Sequence, residues 1–127
     1  MMTAIPTIIP VKIKRRRVVL SEPFPKLADM KYATIGANRQ IRLFSEESYQ
    51  EFVARIKAGP ELARKRARSI FTYGSILDSV GDRHLEFGKE SILLNFLNSG
   101  EQYSLLYDGQ DIYIAASDFC KRFVEEE

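Results

Sequence analysis

Lys and Arg side chains between residues 12 and 17 are the residues in this sequence whose types and spacing best suit a chemical role. Five of these six positions are basic: Lys12, Lys14, Arg15, Arg16 and Arg17. Positive side chains at this density bind a nucleic-acid duplex by displacing the counterions around its phosphates. An Arg held rigidly on a turn can also recognise guanine through its planar guanidinium group. A solvated, charged turn that binds nothing is the alternative interpretation.

Charge is distributed unevenly along the 127 residues, although the net charge is only +2. Residues 1–68 contain 15 Lys or Arg against 6 Asp or Glu, a balance of +9, and residues 69–127 contain 4 against 11, a balance of −7. A second basic cluster contributes to the first balance: Arg55, Lys57, Arg64, Lys65, Arg66 and Arg68. This pattern indicates a nucleic-acid partner, an acidic protein partner, or two surfaces that meet in an oligomer. The preferred interpretation of positions 64–68 is structural: a helix surface that is solvated or that pairs with the acidic second half of an adjacent subunit.

The residue types that catalysis and metal binding require are sparse. His84 is the single histidine and Cys120 the single cysteine, and the sequence has no glycine-rich phosphate loop. We therefore expect neither enzymatic activity nor a metal, cofactor or small-molecule substrate. Cys120 is expected on the inner face of the last helix, in a reducing compartment. No apolar run approaches the ~20 residues that span a bilayer, so we expect a cytoplasmic protein without a membrane partner.

Apolar, β-branched and aromatic stretches predict eight short strands in two similar halves. The first half contains strands at 11–13, 18–20, 32–35 and 41–44, and the second at 75–77, 84–87, 103–107 and 112–114. A helix follows each half, beginning near Ser45 and near Ser117, and further helices are predicted at 92–97 and, between the halves, at 61–71. Polar residues 78–83 are predicted to form the turn before the sixth strand.

The two halves also match each other element by element. Ile41 corresponds to Ile112 at an offset of 71 residues, within matching strands that each precede a helix. Two diverged copies of one unit are the simplest explanation. The sequence therefore predicts an α+β fold made of two tandem β-hairpin and helix repeats, at residues 1–59 and 60–127.

The second half resembles the AbrB swapped-hairpin pattern in the order of its elements. That order is a polar turn, an apolar strand, a short helix, a turn and a final hairpin, with these residues at its turns: Leu77-Asp78, Gly81-Asp82-Arg83, Ser99-Gly100 and Asp108-Gly109. With two such units, and with the stretch Arg66-x-Arg68-x-x-Phe71 before the second, nearly all 127 residues resemble the MraZ family. The resemblance implies a pseudo-symmetric, double-ψ β-barrel-like swapped-hairpin unit with flanking helices. It also implies rings of subunits that bind repeated DNA elements near cell-wall and division genes.

The resemblance assigns roles to individual residues of the two turns. Arg17 and Arg83, which lie 66 residues apart, would be the turn arginines that read bases, and Asp78 would order its loop. Four residues separate Asp78 from Arg83, one more than in the family, and Ile13 stands where the first unit would carry its Asp. The other basic side chains of the first turn would contact phosphates: Lys12, Lys14, Arg15 and Arg16.

These observations lead to one preferred function and two alternatives. We expect a sequence-specific, DNA-binding transcriptional regulator, associated with the nucleoid, whose partners are duplex DNA and further copies of itself. The first alternative is a protein-interaction or antitoxin-like module on the same scaffold, with weak or no DNA binding. The second is a purely structural ring in which the basic and acidic halves of neighbouring subunits meet.

Overall fold

The fold of the chain is given by a computed structural model that describes residues 6–35, 40–61, 75–89, 91, 93–97 and 100–125. In these ranges eight strands occur: β1 Thr7–Lys14, β2 Arg17–Leu20, β3 Met30–Ile35, β4 Ile41–Ser45, β5 Ser75–Val80, β6 His84–Phe87, β7 Tyr103–Tyr107 and β8 Ile112–Ala116. The α-helices α1 (Glu46–Ala58) and α2 (Ser117–Glu125) follow β4 and β8, and short 3-10 helices lie at Pro25–Asp29 and Leu93–Phe96. Each group of four strands is thus followed by an α-helix.

All eight strands join one closed antiparallel barrel. Around the barrel the order is β1-β2-β6-β5-β3-β4-β8-β7, and β7 pairs again with β1. Closure gives every strand two neighbours, so the backbone groups on both of its sides can take part in ladders. The expected α+β class with a barrel is confirmed, and each of the eight predicted strands is found.

Hairpins from the two halves of the chain alternate around this barrel. The hairpins β1-β2 and β3-β4 come from the first half, and β5-β6 and β7-β8 from the second lie between them. The order of pairings is unchanged when each strand is exchanged with the strand four places away in the sequence. Two ladders, β2 with β6 and β4 with β8, pair a strand directly with its counterpart in the other half. Their central residue pairs are Val18 with Leu85 and Arg42 with Tyr113. The basic and acidic halves therefore share one body and do not form separate lobes.

Alternation along the strands directs one set of side chains into the barrel. In β2, Val18 and Leu20 are buried, whereas Arg17 and Val19 are exposed. The main buried cluster contains aliphatic residues, one Phe and one Tyr: Ile9, Val18, Leu20, Leu27, Ala33, Ile41, Leu43, Leu77, Leu85, Phe87, Leu93, Tyr103, Leu105, Ile112 and Ile114. Complete burial of one large apolar side chain contributes about 1.5–3 kcal/mol. The interior consequently fixes which residues of each strand face outwards.

Both α-helices begin directly at the ends of strands. The Ser48 amide donates a hydrogen bond to the Ser45 hydroxyl, and the Ser45 amide donates to the Ser48 hydroxyl, so that the first turn of α1 is capped on both sides. In α2, Cys120 is fully buried in a small second cluster with Leu106 and Ala115. The expected position of Cys120 on the inner face of the last helix is confirmed.

The turn before the sixth strand is shorter than the sequence predicts. β5 continues to Val80, so the first part of the predicted polar turn 78–83 is strand, and only residues 81–83 form the bend. The register between β5 and β6 shifts between Leu77 and Ser79, which marks a β-bulge. A bulge places one extra residue in a ladder, and here that residue is Asp78, which lies between the paired Leu77 and Ser79.

Other predicted elements differ in their bounds or type. The strand predicted at 11–13 begins at Thr7, because the residues before the predicted start pair with β7. The helix predicted at 92–97 is a 3-10 helix. The basic helix predicted at 61–71 lies outside the described residues except for Glu61. In the part of the chain that the structure describes, no helix has both the length and the apolar character needed to cross a lipid bilayer.

Candidate nucleic-acid interface

The basic residues expected to contact DNA converge at the turn between β1 and β2. Lys14 and Arg17 form the last pair of the ladder, so Arg15 and Arg16 are the two central residues of the turn. Arg15 has a φ of 58°, and within the described ranges it is the one non-glycine residue with a positive φ. A positive φ at the first central residue alone is the pattern of a type II′ turn, where glycine normally occupies that position. Arg17, expected on the turn, is the first residue of β2.

Four of the basic side chains extend away from the barrel. Ile13 packs against the interior, and its neighbours along β1 point outwards. The exposed basic residues are Lys12, Lys14, Arg15 and Arg17. None of the four forms an ion pair with any other residue that the structure describes. Lys14 and Arg17 face each other across the ladder, and like charges in this arrangement destabilise a hairpin by about 0.2–1 kcal/mol.

This turn therefore has two local energetic costs. The left-handed conformation costs a residue with a β-carbon about 1–2 kcal/mol, and the facing cations add repulsion. Glycine at position 15 would remove the first cost, and an acidic residue opposite Lys14 would remove the second. Backbone strain is concentrated at binding and catalytic sites, where a particular side chain is required despite its cost. The turn is consequently the best candidate for a binding site in this fold.

Arg16 differs from the other four basic residues in its contacts. Its side chain is 38% exposed and turns towards β6, where Nη1 lies 3.4 Å from the Phe87 carbonyl oxygen and Nη2 lies 3.8 Å from Glu86 Oε1. The Arg16 carbonyl oxygen accepts a hydrogen bond from the Phe87 amide at 2.8 Å. A phosphate contact by Arg16 would compete with these contacts inside the protein.

Arg83 lies on the bend between β5 and β6 and is exposed. Its carbonyl oxygen accepts a hydrogen bond from the Leu20 amide at 2.8 Å, and its Nη2 donates to the Ser21 carbonyl oxygen at 3.2 Å. Arg16 and Arg83 thus make the same type of contact with the opposite hairpin, at an offset of 67 residues. In its contacts Arg83 matches Arg16 and not Arg17, and the extra residue of the bulge in β5 accounts for this difference of one position. The expected roles of Arg17 and Arg83 stay predictions.

The second turn carries acidic residues that the first lacks. Asp78 is exposed at the bulge in β5, and its carboxylate forms no hydrogen bond to the rest of the described chain, so its loop-ordering role stays a prediction. Asp82 is exposed beside Arg83, and Glu86 faces Arg17 across the ladder between β2 and β6. Positive charge is therefore concentrated on the first turn.

An open groove of about 780 Å³ lies beside the first turn. One wall is formed by Lys12 and Lys14 of β1 and by Arg15 of the turn, and the other by the segment that includes Gln102 and Tyr103. The two walls are distant in the sequence and become neighbours only because β1 pairs with β7. For this reason the sequence contains no local pattern that predicts the groove.

A polar cluster on the ladder between β4 and β8 was also not predicted from the sequence. Arg42 Nη2 lies 3.2 Å from Asp111 Oδ1, and the guanidinium lies 4.6 Å from the ring centroid of Phe44. Burial is the main cause that raises the pKa of Tyr113, the partner of Arg42 across the ladder, and the charge of Asp111 adds to it. These contacts join the two halves of the chain on the opposite side of the barrel from the ladder between β2 and β6.

His84 lies on the outer surface of β6, and its position does not suggest catalysis. Its Nε2 is 3.3 Å from Ser79 Oγ, and the ring lies against Gly81. Among the residues that the structure describes, no three His, Cys, Asp or Glu side chains are grouped as metal ligands.

No model of a known protein family matches the sequence, and no curated protein matches it. The candidate interface is therefore defined by the geometry of the basic turn.

Proposed function

We propose that this protein is a cytoplasmic transcriptional regulator that binds duplex DNA through the turn between β1 and β2 and acts as a homo-oligomer. The supporting observation is a group of four exposed basic side chains on one turn: Lys12, Lys14, Arg15 and Arg17. Each of them can neutralise a phosphate. Because three of the four belong to paired strands, little backbone freedom is lost when DNA binds.

Recognition of a particular base requires a guanidinium group that is free to enter the major groove. Arg17 forms no hydrogen bond or ion pair through its side chain with the rest of the described residues, whereas Arg83 Nη2 is bonded to the Ser21 carbonyl oxygen. Of the two arginines expected to read bases, we propose Arg17 for this role. A good bidentate contact with guanine provides about 1–3 kcal/mol of discrimination between bases.

The tandem-repeat arrangement also belongs to this proposal. Two interlocked copies of an AbrB-like hairpin unit would produce a barrel in which each strand can be exchanged with the strand four places away. Two equivalent hydrogen bonds, each from the last residue of β2 or β6 to the turn of the other hairpin and both 2.8 Å long, support the same relation. We propose a diverged relative of the MraZ family with repeats at residues 1–59 and 60–127. Assembly into a ring would repeat the basic turn and raise the avidity for DNA, since one turn provides few contacts.

The experiment that tests this function neutralises the turn and leaves Arg16 in place. The turn variant carries Lys14→Ala, Arg15→Ala and Arg17→Ala. The control variant removes the same charge from exposed helix residues, with Arg55→Ala, Lys57→Ala and Arg122→Ala. DNA binding is measured by fluorescence anisotropy over a series of salt concentrations, and size-exclusion chromatography checks that both variants keep their oligomeric state.

The expected result is a difference in the salt dependence of binding. Each phosphate contact contributes about 0.9 to the slope of log K against log salt, so the turn variant should lose about 1.8 in slope through Lys14 and Arg15. Loss of Arg17 should in addition weaken the discrimination between bases. The control variant should keep the slope of the wild-type protein. Equal slopes in the two variants would refute the turn as the interface.

The groove beside the turn favours one second candidate, an acidic protein partner. Val11, Ile13 and Leu97 line the groove next to its basic wall. Apolar side chains beside a charged patch suit a protein segment better than a phosphate backbone. Purification without nuclease distinguishes the candidates, because bound nucleic acid supports the first and a stoichiometric acidic protein supports the second.

A further inference from the structure

We infer that Arg16 and Arg83 are positioning residues, which hold β2 and its basic turn in the geometry that binds DNA. The inference rests on the proposed function. It assigns to Arg83 a role other than direct base recognition, and to Arg16 a role other than phosphate contact. It follows from the contacts that each turn makes with the hairpin of the other half.

Each turn is joined to the other hairpin by a backbone hydrogen bond. The Leu20 amide donates to the Arg83 carbonyl oxygen, and the Phe87 amide donates to the Arg16 carbonyl oxygen, both at 2.8 Å. Leu20 and Phe87 are each 1% exposed, so the packed interior fixes the positions of their amides. Buried amides are almost always hydrogen-bonded, because an unpaired one is unfavourable. Both turns must therefore stay in place while the interior is closed.

The two guanidinium groups reinforce these backbone bonds. Arg83 Nη2 donates to the Ser21 carbonyl oxygen at 3.2 Å, directly after β2. Arg16 Nη1 lies 3.4 Å from the Phe87 carbonyl oxygen, and Glu86 is 3.8 Å from its Nη2. Each arginine thus uses its backbone and its side chain to bind the same short segment of the opposite hairpin. In Arg16 the planar guanidinium faces two acceptors, the Phe87 carbonyl oxygen and Glu86, through two different nitrogens, an arrangement that a Lys ammonium does not reproduce.

The consequence for the interface is that β2 is held at both ends. Arg16 lies at the turn that precedes the strand, and Arg83 binds the residues at its other end. β2 has only four residues, and Arg17 is the first of them. Loss of either contact would let the turn adopt more conformations, and DNA binding would then have to order it again.

The first test compares Arg83→Leu with Arg83→Gln. Leu removes the charge and the donor, whereas Gln removes the charge and keeps a donor for the Ser21 carbonyl oxygen. A positioning residue predicts about tenfold weaker DNA binding for Arg83→Leu with an unchanged salt slope, and recovery of most of the affinity in Arg83→Gln. A loss of about 0.9 in slope in both variants would show a phosphate contact instead. A relaxed preference among DNA fragments would show a base contact, and either result would overturn the inference.

The second test does not require DNA. Amide hydrogen exchange should accelerate about tenfold at Leu20 in Arg83→Leu and at Phe87 in Arg16→Leu, because the backbone carbonyl oxygen that accepts from each amide is no longer held by the arginine side chain. Unchanged exchange at these amides overturns the inference, whether or not the protein binds DNA. If exchange accelerates as expected and the wild-type protein does not bind DNA, the proposed function fails and the role of the two arginines in holding β2 stands.

A third measurement asks whether Arg83 acts through the turn. Arg83→Leu is introduced into the turn variant, where the charges that it would position are already absent. No further change in DNA affinity is expected in this background. A loss as large as in the wild-type background would show that Arg83 contacts DNA independently, which contradicts the inference.

Discussion

Replacement of Arg15 by glycine should stabilise the protein, although it removes a residue of the candidate interface. Arg15 has a φ of 58°, and this conformation costs a residue with a β-carbon about 1–2 kcal/mol. Glycine adopts the conformation freely, but its greater freedom in the unfolded chain offsets about 0.5–1 kcal/mol of that gain. The net increase in the free energy of unfolding should be about 1 kcal/mol, or about 4 °C in Tm for a chain of this size.

Arg15→Ala is the matched control, since it removes the same charge and keeps the β-carbon. Both variants are unfolded in urea and followed by circular dichroism. Arg15→Gly should be more stable than Arg15→Ala by about 1 kcal/mol, which is the reverse of the order expected within a regular strand. If alanine is as stable as glycine here, the positive φ stores no strain and the reasoning is refuted. Both variants should lose about 0.9 in the salt slope of DNA binding, so in Arg15→Gly stability rises while DNA binding weakens.

Three further predictions concern residues outside the basic turn. Lys31 Nζ lies 3.1 Å from Glu46 and holds the pKa of Glu46 below its usual 4.5. A carboxyl group with a lowered pKa stabilises the folded state at pH values above its unfolded-state pKa, and this contribution is lost as the pH falls. When urea unfolding is repeated at decreasing pH, Glu46→Gln should therefore lose less stability than the wild-type protein. Burial raises the pKa of the Cys120 thiol to about 11. A thiol reagent in mildly alkaline buffer should therefore modify Cys120 only after the protein unfolds. Rapid labelling of the native protein would contradict this prediction. Gly81→Ala would place a β-carbon 2.9 Å from His84 Cε1. Because the half-buried ring can move, the free energy of unfolding in urea should fall by less than about 1 kcal/mol. A larger decrease would mean that the ring is fixed.

The strands could be predicted because local patterns determine them. In β6 the buried Leu85 and Phe87 alternate with the polar His84 and Glu86, and the sequence itself shows this alternation. Their arrangement could not be predicted in the same way. Thr7 pairs with Tyr107, 100 residues away, and no local pattern records which hairpins meet around a barrel. The resemblance of the two halves indicated interlocking units, but the order of the strands depends on the whole chain.

The residues of the candidate interface could be predicted, whereas their geometry could not. Charge density alone identifies positions 12–17, since it is a property of composition. The positive φ of Arg15 depends on the register of a ladder, and the contact of Arg16 depends on Phe87, which is 71 residues away. The correspondence between Arg16 and Arg83 depends on a one-residue bulge, and comparison of the halves at a fixed offset does not detect a bulge.

The alternation of hairpins around the barrel also determines when this protein can fold during synthesis. β1 leaves the ribosome well before its neighbour β7, because Tyr107 is translated 100 residues after its partner Thr7. Until then the apolar inner face of the first hairpin, with Ile9 and Leu20, has no cover. Such long-range pairing slows folding and leaves nascent chains open to aggregation. A chain stalled on the ribosome before β7 should therefore remain protease-sensitive and bind chaperones, and the barrel should close only after translation has passed β8.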